Sequence, residues 1–325
     1  MINSVRNTVL SVLNKNNYGY ISPSDFNLYA KQAQMELFED YFGIYNKGIN
    51  AENQRMSGTD YADTVKPVAE ALELFLVENY LFPVSNGLGQ DINQFFVPSL
   101  ITTGDDFFMI NKVICYTRLL SDGSSSNVIA PYQLIISSPG DFITAGVQPG
   151  DIVLNVDAKR AAIVNIVGSD TSLQLTEDIF TTANQDYAIY SAKDYSEAEK
   201  VSVGKISILN ASILTSPSTM FPAYTIMEDK MGAYPSSIAG YGALKATYFR
   251  YPKVPKWTYV TLVNGEPSFD QSQPDYQDFE MPIEDEYKLV MKILQYCGMS
   301  IREIQVSQFA MAQEQQQQQS YSQQQ

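Results

Sequence analysis

Hydrophobic and polar positions follow three regimes along the chain. Near its start, Val5, Val9, Val12 and Leu13 recur at helical spacing and predict a short amphipathic helix over residues 2–15. A second helix is announced by Ser22 as N-cap, Pro23 in the first turn and Asp25 three residues after the cap, a capping box with Asp in place of Glu. Phe26, Tyr29, Ala30, Ala33, Leu37 and Tyr41 then form one apolar stripe that carries this helix to about Phe42, where Gly43 or Gly48 supplies a stop. In the middle of the chain the pattern changes to short runs, of which Ser172–Thr176 alternates with a period of two. Ile152–Val156, Ala161–Val167, Ser172–Thr176 and Tyr187–Ser191 are short β-branched, apolar runs, and they begin roughly ten residues apart, the spacing of a small antiparallel barrel or sandwich. Gln148-Pro149-Gly150-Asp151 fits a type II turn between them. Toward the end helical spacing returns: Ile283, Tyr287, Val290, Met291, Leu294 and Cys297 form a stripe, with Pro282 near its start and Gly298 as its stop.

The segments between these regimes carry weaker patterns. Pro67–Val77 suits a short helix, and Asn86–Gly89 a loop. Asp106–Leu120 and Val128–Ser137 suit strands separated by an exposed turn over 121–127. Tyr195–Asn210 places Ala198, Val201, Lys205 and Leu209 on one side of a helix, and Ala223–Glu228, Met231–Ser236 and Ala243–Tyr251 follow as strands. Ser300-Ile301-Arg302-Glu303 is a second capping box, opening a last helix to about Gln313. The final EQQQQQSYSQQQ cannot bury enough apolar surface to fold alone and suits a tail that orders on a partner. The predicted class is therefore α+β. A connector body of residues 1–137 and 192–299 would carry an inserted β-module over 138–191, hinged at Pro139-Gly140 and Ala192-Lys193-Asp194, with a C-terminal helix and tail over 300–325.

Composition removes much of ordinary enzyme chemistry. The chain of 325 residues has 36 acids, 21 bases and no histidine, for a net charge of −15. Without histidine the usual general base and the commonest neutral metal ligand are missing. Too few cations are present for tight wrapping of nucleic acid, although an acidic channel could let nucleic acid pass without sticking. Cys115 and Cys297 lie far apart and suit small buried hydrophobes in a reducing compartment. The first residues lack a continuous apolar core, and no run approaches bilayer length, so a soluble protein made in the cytosol without a membrane partner is expected.

Two local patterns suggest chemistry, and each has a plainer explanation. Asn14 to Asp25 overlays a calcium-binding loop with Gly19 at its bend, but Asn14, Asn16 and Tyr18 occupy positions that want carboxylates. With Asp25 alone, a tight helix–turn–helix is the better reading. Lys245 to Tyr259 interleaves Lys245, Arg250, Lys253 and Lys256 with Tyr248, Phe249, Tyr251, Trp257 and Tyr259, as a single-strand stacking platform would. The alternative, favoured by the net charge, is a strand followed by a rigid Pro252–Pro255 segment whose rings, Trp257 among them, pack inward. Its lysines would face the acids Glu266, Asp270, Asp275, Asp278, Glu280, Glu284, Asp285 and Glu286. Phosphate-binding loops, nucleophile elbows and clustered cysteine ligands do not occur, and no carboxylate pair is marked out for hydrolysis. No catalytic residue, metal or cofactor is expected.

Three longer stretches carry a family resemblance. NNYGYISPSDFNLYAKQAQMELFEDYF (16–42), the FPAY…YP…YFRYPKVPKW pattern (221–257) and DYQDFEMPIEDEYKLVMKILQYCGMSIRE (275–303) resemble neck proteins of tailed bacteriophages, especially the crAss-like podoviruses. The stretch over 138–191 is similar to small β-domains that recur in phage virion proteins. The resemblance implies a structural protein of the virion, not an enzyme. It would form a head-to-tail connector ring of about twelve copies below the portal, lining the channel through which the double-stranded genome passes without specific binding. Helical ends would form the packed ring. Portal, neck or tail rings would be met by the β-module through Phe142 and Val147, and by the C-terminal arm through Ile301, Ile304, Phe309 and Met311. The competing readings are a receptor- or glycan-binding tail protein, suggested by the β-module and 22 tyrosines, and a carboxylate hydrolase.

Overall fold

The computed structural model of the protein describes residues 1–13, 21–54, 66–85, 91–263 and 265–301. The class is α+β, and the chain divides into two units, Met1–Phe75 with Pro252–Gln325, and Leu76–Tyr251. In chain order the first unit begins with α1 (Ile2–Leu13), α2 (Pro23–Gln54) and α3 (Lys66–Glu73). The second unit follows with β1 (Leu76–Tyr80), β2 (Pro83–Ser85), β3 (Asp91–Phe96), β4 (Phe107–Tyr116), β5 (Leu119–Ser124) and β6 (Gln133–Ile135). It continues through β7 (Ile152–Asn155), β8 (Arg160–Ser169), β9 (Ser172–Leu175) and β10 (Asp186–Tyr190). Then come β11 (Tyr195–Glu197), β12 (Glu199–Lys200), α4 (Val203–Asn210), β13 (Ala223–Met227), β14 (Lys230–Tyr234) and β15 (Leu244–Arg250). The first unit resumes with the hairpin β16 (Tyr259–Thr261) and β17 (Pro267–Phe269) and ends in α5 (Glu286–Ile301), entered through a 3₁₀ turn at Ile283–Asp285.

The helical unit joins the two ends of the described chain. Both α1 and α2 pack on α5, burying Ile2, Val5 and Val9 of the first, Phe26, Ala30, Ala33, Leu37 and Phe38 of the second, and Leu289, Ile293 and Cys297 of the third. Ser22 caps α2: its Oγ accepts the Asp25 amide at 3.1 Å and donates to the Asp25 carboxylate at 2.6 Å. Polar stitches cross the same interface. The buried Lys292 ammonium of α5 reaches Glu36 at 3.3 Å and Asp40 at 3.1 Å on α2, and the Tyr41 hydroxyl donates to buried Asp285, which also pairs with Lys288 at 2.7 Å. Two expected stops are overrun. The second helix continues through Gly43 to Gln54, and α5 through Gly298 to Ile301. A helical glycine costs only about 1 kcal/mol, too little by itself to end a helix.

In the second unit a six-stranded sheet has the order β5-β10-β7-β8-β9-β6, and the Ser126 amide, just past β5, donates to Ile135 O of β6 at 2.7 Å. The sheet thereby closes on itself as a small barrel. Leu134, Phe142, Val147, Val153, Val164, Leu173, Leu175, Tyr187 and Ile189 fill its interior. A four-stranded sheet, β1-β15-β4-β11, and a five-stranded sheet, β12-β13-β14-β3-β2, share a second core with the barrel's other face. Ile152 and Leu154 of β7, with Ala188 and Tyr190 of β10, pack there against Val113, Cys115, Phe95, Met231, Leu244 and Tyr248. All four residues of β7 are buried because both faces of that strand are covered.

This sharing corrects the expected domain boundaries. The barrel draws β5 and β6 from before residue 138, and its strands are fused to the body by a common core instead of being carried on hinges. The hinge residue Ala192 is itself pinned: its amide donates to buried Asp151 at 3.1 Å, while the other Asp151 oxygen takes the Gln148 amide at 2.8 Å. The Gln148–Asp151 turn is closed by the Asp151 amide on Gln148 O at 3.1 Å, with Gly150 at φ +100°. The turn expected over 121–127 begins as strand β5, because buried Ser121 finds the Asp141 carboxylate at 3.0 Å and the Tyr187 hydroxyl at 3.2 Å. The helix expected from Tyr195 starts only at Val203, where Ser202 Oγ accepts the Lys205 amide at 3.4 Å. Upstream, Tyr195–Glu197 pairs with β4.

Candidate interaction surfaces

In the described residues, the positions that looked chemical are structural. No group of three His, Cys, Asp or Glu among them could hold a metal, and no described helix is long and apolar enough to cross a membrane. Burial pushes the thiols of Cys115 and Cys297 up to about 12, so both are inert packing groups. Tyr80, Tyr116 and Tyr190 form a chain of rings in the second unit, with centroids 6.2 and 6.3 Å apart. Burial raises the Tyr80 hydroxyl, and likewise pushes Tyr241 up to about 12, which keeps both neutral.

The basic–aromatic stretch is largely engaged within the fold, although Tyr251 and Tyr259 keep 39% and 44% of their exposure. Tyr248 and Trp257 are buried, Lys245 pairs with Glu78, and Lys256 pairs with Asp275. The Lys245 hydrogen bond holds the Glu78 carboxyl below its ordinary range, against the smaller effect of burial. Pro252 and Pro255 belong to an extended segment that α2 grips with two side-chain amides. Gln34 donates to Lys253 O at 2.7 Å and accepts the Glu280 amide at 3.1 Å. Asn27 accepts the Trp257 amide at 2.8 Å and donates to Trp257 O at 3.2 Å. The Trp257 ring lies under the Arg6 guanidinium, 3.8 Å from the ring centroid, and stacks with Tyr259 and Phe269 at the base of the β16–β17 hairpin. An isolated two-stranded hairpin is marginal in water, and this stack supplies its anchor.

Of the residues expected to dock partners, Phe142 and Val147 are corrected. Both are buried in the barrel core, where the Phe142 ring meets the Tyr187 ring edge-on at 6.0 Å. Their apolar character serves the barrel's own interior, and the exposed member of the segment is Ile143. Ile301 is the last residue of α5, whereas Ile304, Phe309, Met311 and Gly19 lie outside the described residues. Ser22, Pro23 and Asp25 form the start of α2 described above.

Two exposed apolar surfaces escaped the sequence reading. The first runs from Ile208 near the end of α4 into the loop after it. Ile208, Ile213, Leu214, Met220 and Phe221 all face solvent, Ile213 at 97% and Leu214 at 96% of full exposure. The loop is ordered by its own backbone: the Thr215 and Ser216 amides donate to Ser212 O, and Ser218 and Phe221 exchange amide–carbonyl bonds in both directions. Its signal was negative, since no charged residue occurs from Ile206 to Met227. The second surface is on the barrel, where Val128, Ile129, Tyr132 and Ile163 are exposed. Tyr132 and Ile163 flank one step of the chain, because the Leu175 amide donates to Tyr132 O and the Thr176 amide to Ile163 O.

Neither protein-family models nor curated proteins give a match to this chain.

Proposed function

We propose that the chain is a structural protein of the virion neck in a tailed bacteriophage, a ring-forming adaptor between portal and tail. One observation carries this reading. The stretches that resemble neck proteins at 16–42 and 275–303 are more than 230 residues apart in sequence, yet they supply α2 and α5, which pack on each other. The Pro252–Trp257 end of the third stretch is gripped by Asn27 and Gln34 of the same α2. Residues 16–42, 252–257 and 275–303 thus come together in the first unit, while 221–251 of the remaining stretch belongs to the second.

The reading also suits the charge. At −15, each copy placed around a channel would repel a passing phosphate backbone and keep it from sticking. About twelve copies would close the ring, and the C-terminal residues would reach a neighbouring ring. A phage in which this chain is not made would produce DNA-filled heads that fail to join tails. Complete, infectious particles from such a phage would overturn the proposal.

A further inference from the structure

We infer that the loop after α4 is a knob that seats on the barrel of a second copy of this chain. This rests on the ring reading and names the contact that would build the ring.

The knob is preformed. Buried Ile206 fixes α4 to Val201 and Ala223, with Leu209 and Tyr234 partly buried against them, and the backbone bonds at Ser212 and Ser218 hold the following turns. Ile213, Leu214, Met220 and Phe221 are therefore displayed on an ordered scaffold, and Met220 and Phe221 keep 74% and 77% of their exposure. An ordered apolar display of this kind marks a contact surface. Because the loop is already shaped, seating it does not require ordering a flexible segment.

Charge selects the occupant. With 36 acids against 21 bases, two copies repel wherever their general surfaces meet. The 22 residues from Ile206 to Met227 are uncharged, so contact through them escapes that repulsion. The charges at the foot of the loop are mixed, with exposed Glu199 and Glu228 beside exposed Lys200 and Lys205, so vesicle flotation is the arm that separates a lipid surface from a second copy.

The same chain also carries a second exposed apolar surface, edged by the Asp178 carboxylate that takes the Tyr132 amide at 3.3 Å. Val128, Ile129, Tyr132 and Ile163 lie on the barrel, whereas α4 is mounted on the five-stranded sheet through Ala223 of β13. A knob and a patch that differ from each other make head-to-tail contacts, and such contacts close into rings when the rotation per copy permits.

The test uses the full chain and two exposed double variants, Ile213→Asp with Leu214→Asp in the knob, and Val128→Asp with Ile129→Asp in the patch. Sedimentation velocity over a concentration series should show the parent chain associating and each variant weakened by about 100-fold or more. Circular dichroism melts should match the parent. An equimolar mixture of the two variants should recover a dimer and go no further, because one intact knob and one intact patch remain. A parent chain that stays monomeric, or variants that associate like the parent, would overturn the inference. So would loop-dependent flotation of the parent chain on phosphatidylcholine vesicles in place of self-association. These outcomes concern only the contact, whereas the neck reading is decided by whether heads join tails without the chain.

Discussion

Asn27 holds Trp257 by both ends of its side-chain amide, accepting the tryptophan amide at 2.8 Å and donating to its carbonyl at 3.2 Å across 230 residues of sequence. Since the pair locks α2 to the returning segment, Asn27→Ala should cost about 1–2 kcal/mol by leaving two backbone groups unpaired. Trp257→Ala should cost about 3–5 kcal/mol, because it empties the stack shared by Arg6, Tyr259 and Phe269. Urea unfolding of each variant checks both figures. Variants as stable as the parent would show that the clamp is idle.

Asp278 links stability to pH. Burial pushes its carboxyl up, but hydrogen bonds from the Met1 ammonium and the Ile2 and Phe279 amides outweigh it and hold the group below the usual 3.8. A carboxyl lowered in the folded state stabilises above its unfolded value, and that contribution fades as pH falls through the folded value. Asp278→Asn should therefore cost about 1 kcal/mol near neutral pH, as loss of a helix N-terminal cap does. The gap from the parent should shrink as pH falls below 3.8. A gap constant from pH 7 to acid would contradict this linkage.

Gly140 touches the barrel too closely for any side chain. A Cβ there would stand 2.1 Å from Asp170 O, a backbone atom that cannot swing aside. Gly140→Ala should destabilise the barrel by about 1–3 kcal/mol. Hydrogen exchange at the Val164 and Leu175 amides should accelerate in the variant, and unchanged exchange would refute the close approach.

The thiols give a simple check on both cores. Cys115 and Cys297 belong to different units, and each is buried and raised to about 12. Neither should react with a thiol reagent at neutral pH until denaturant is added, when both should. Rapid reaction of either in the native protein would mean that its core is open.

How far the sequence revealed the fold depended on what each segment packs against. The Phe26–Tyr41 stripe was legible because one face of α2 meets apolar neighbours, and β7–β10 because turns separate strongly β-prone runs. The barrel's true extent was hidden: Ser121–Ser124 looks like a polar loop, and Ser121 is burial-tolerant only through Tyr187 and Asp141, which are distant in sequence. Phe142 and Val147 were misplaced for a related reason, since a hydrophobic residue in a loop-like segment serves a core or a partner equally well. The knob was missed because its residues are apolar without period. Exposure belongs to the three-dimensional arrangement, and only the absence of charge from Ile206 to Met227 hinted at it.

The neck assignment meets its most direct test in electron microscopy of purified particles whose copies of this chain carry a heavy-metal label. Label in a ring at the junction of head and tail is the predicted result. Label at the far end of the tail, or particles that contain none of the chain, would contradict it.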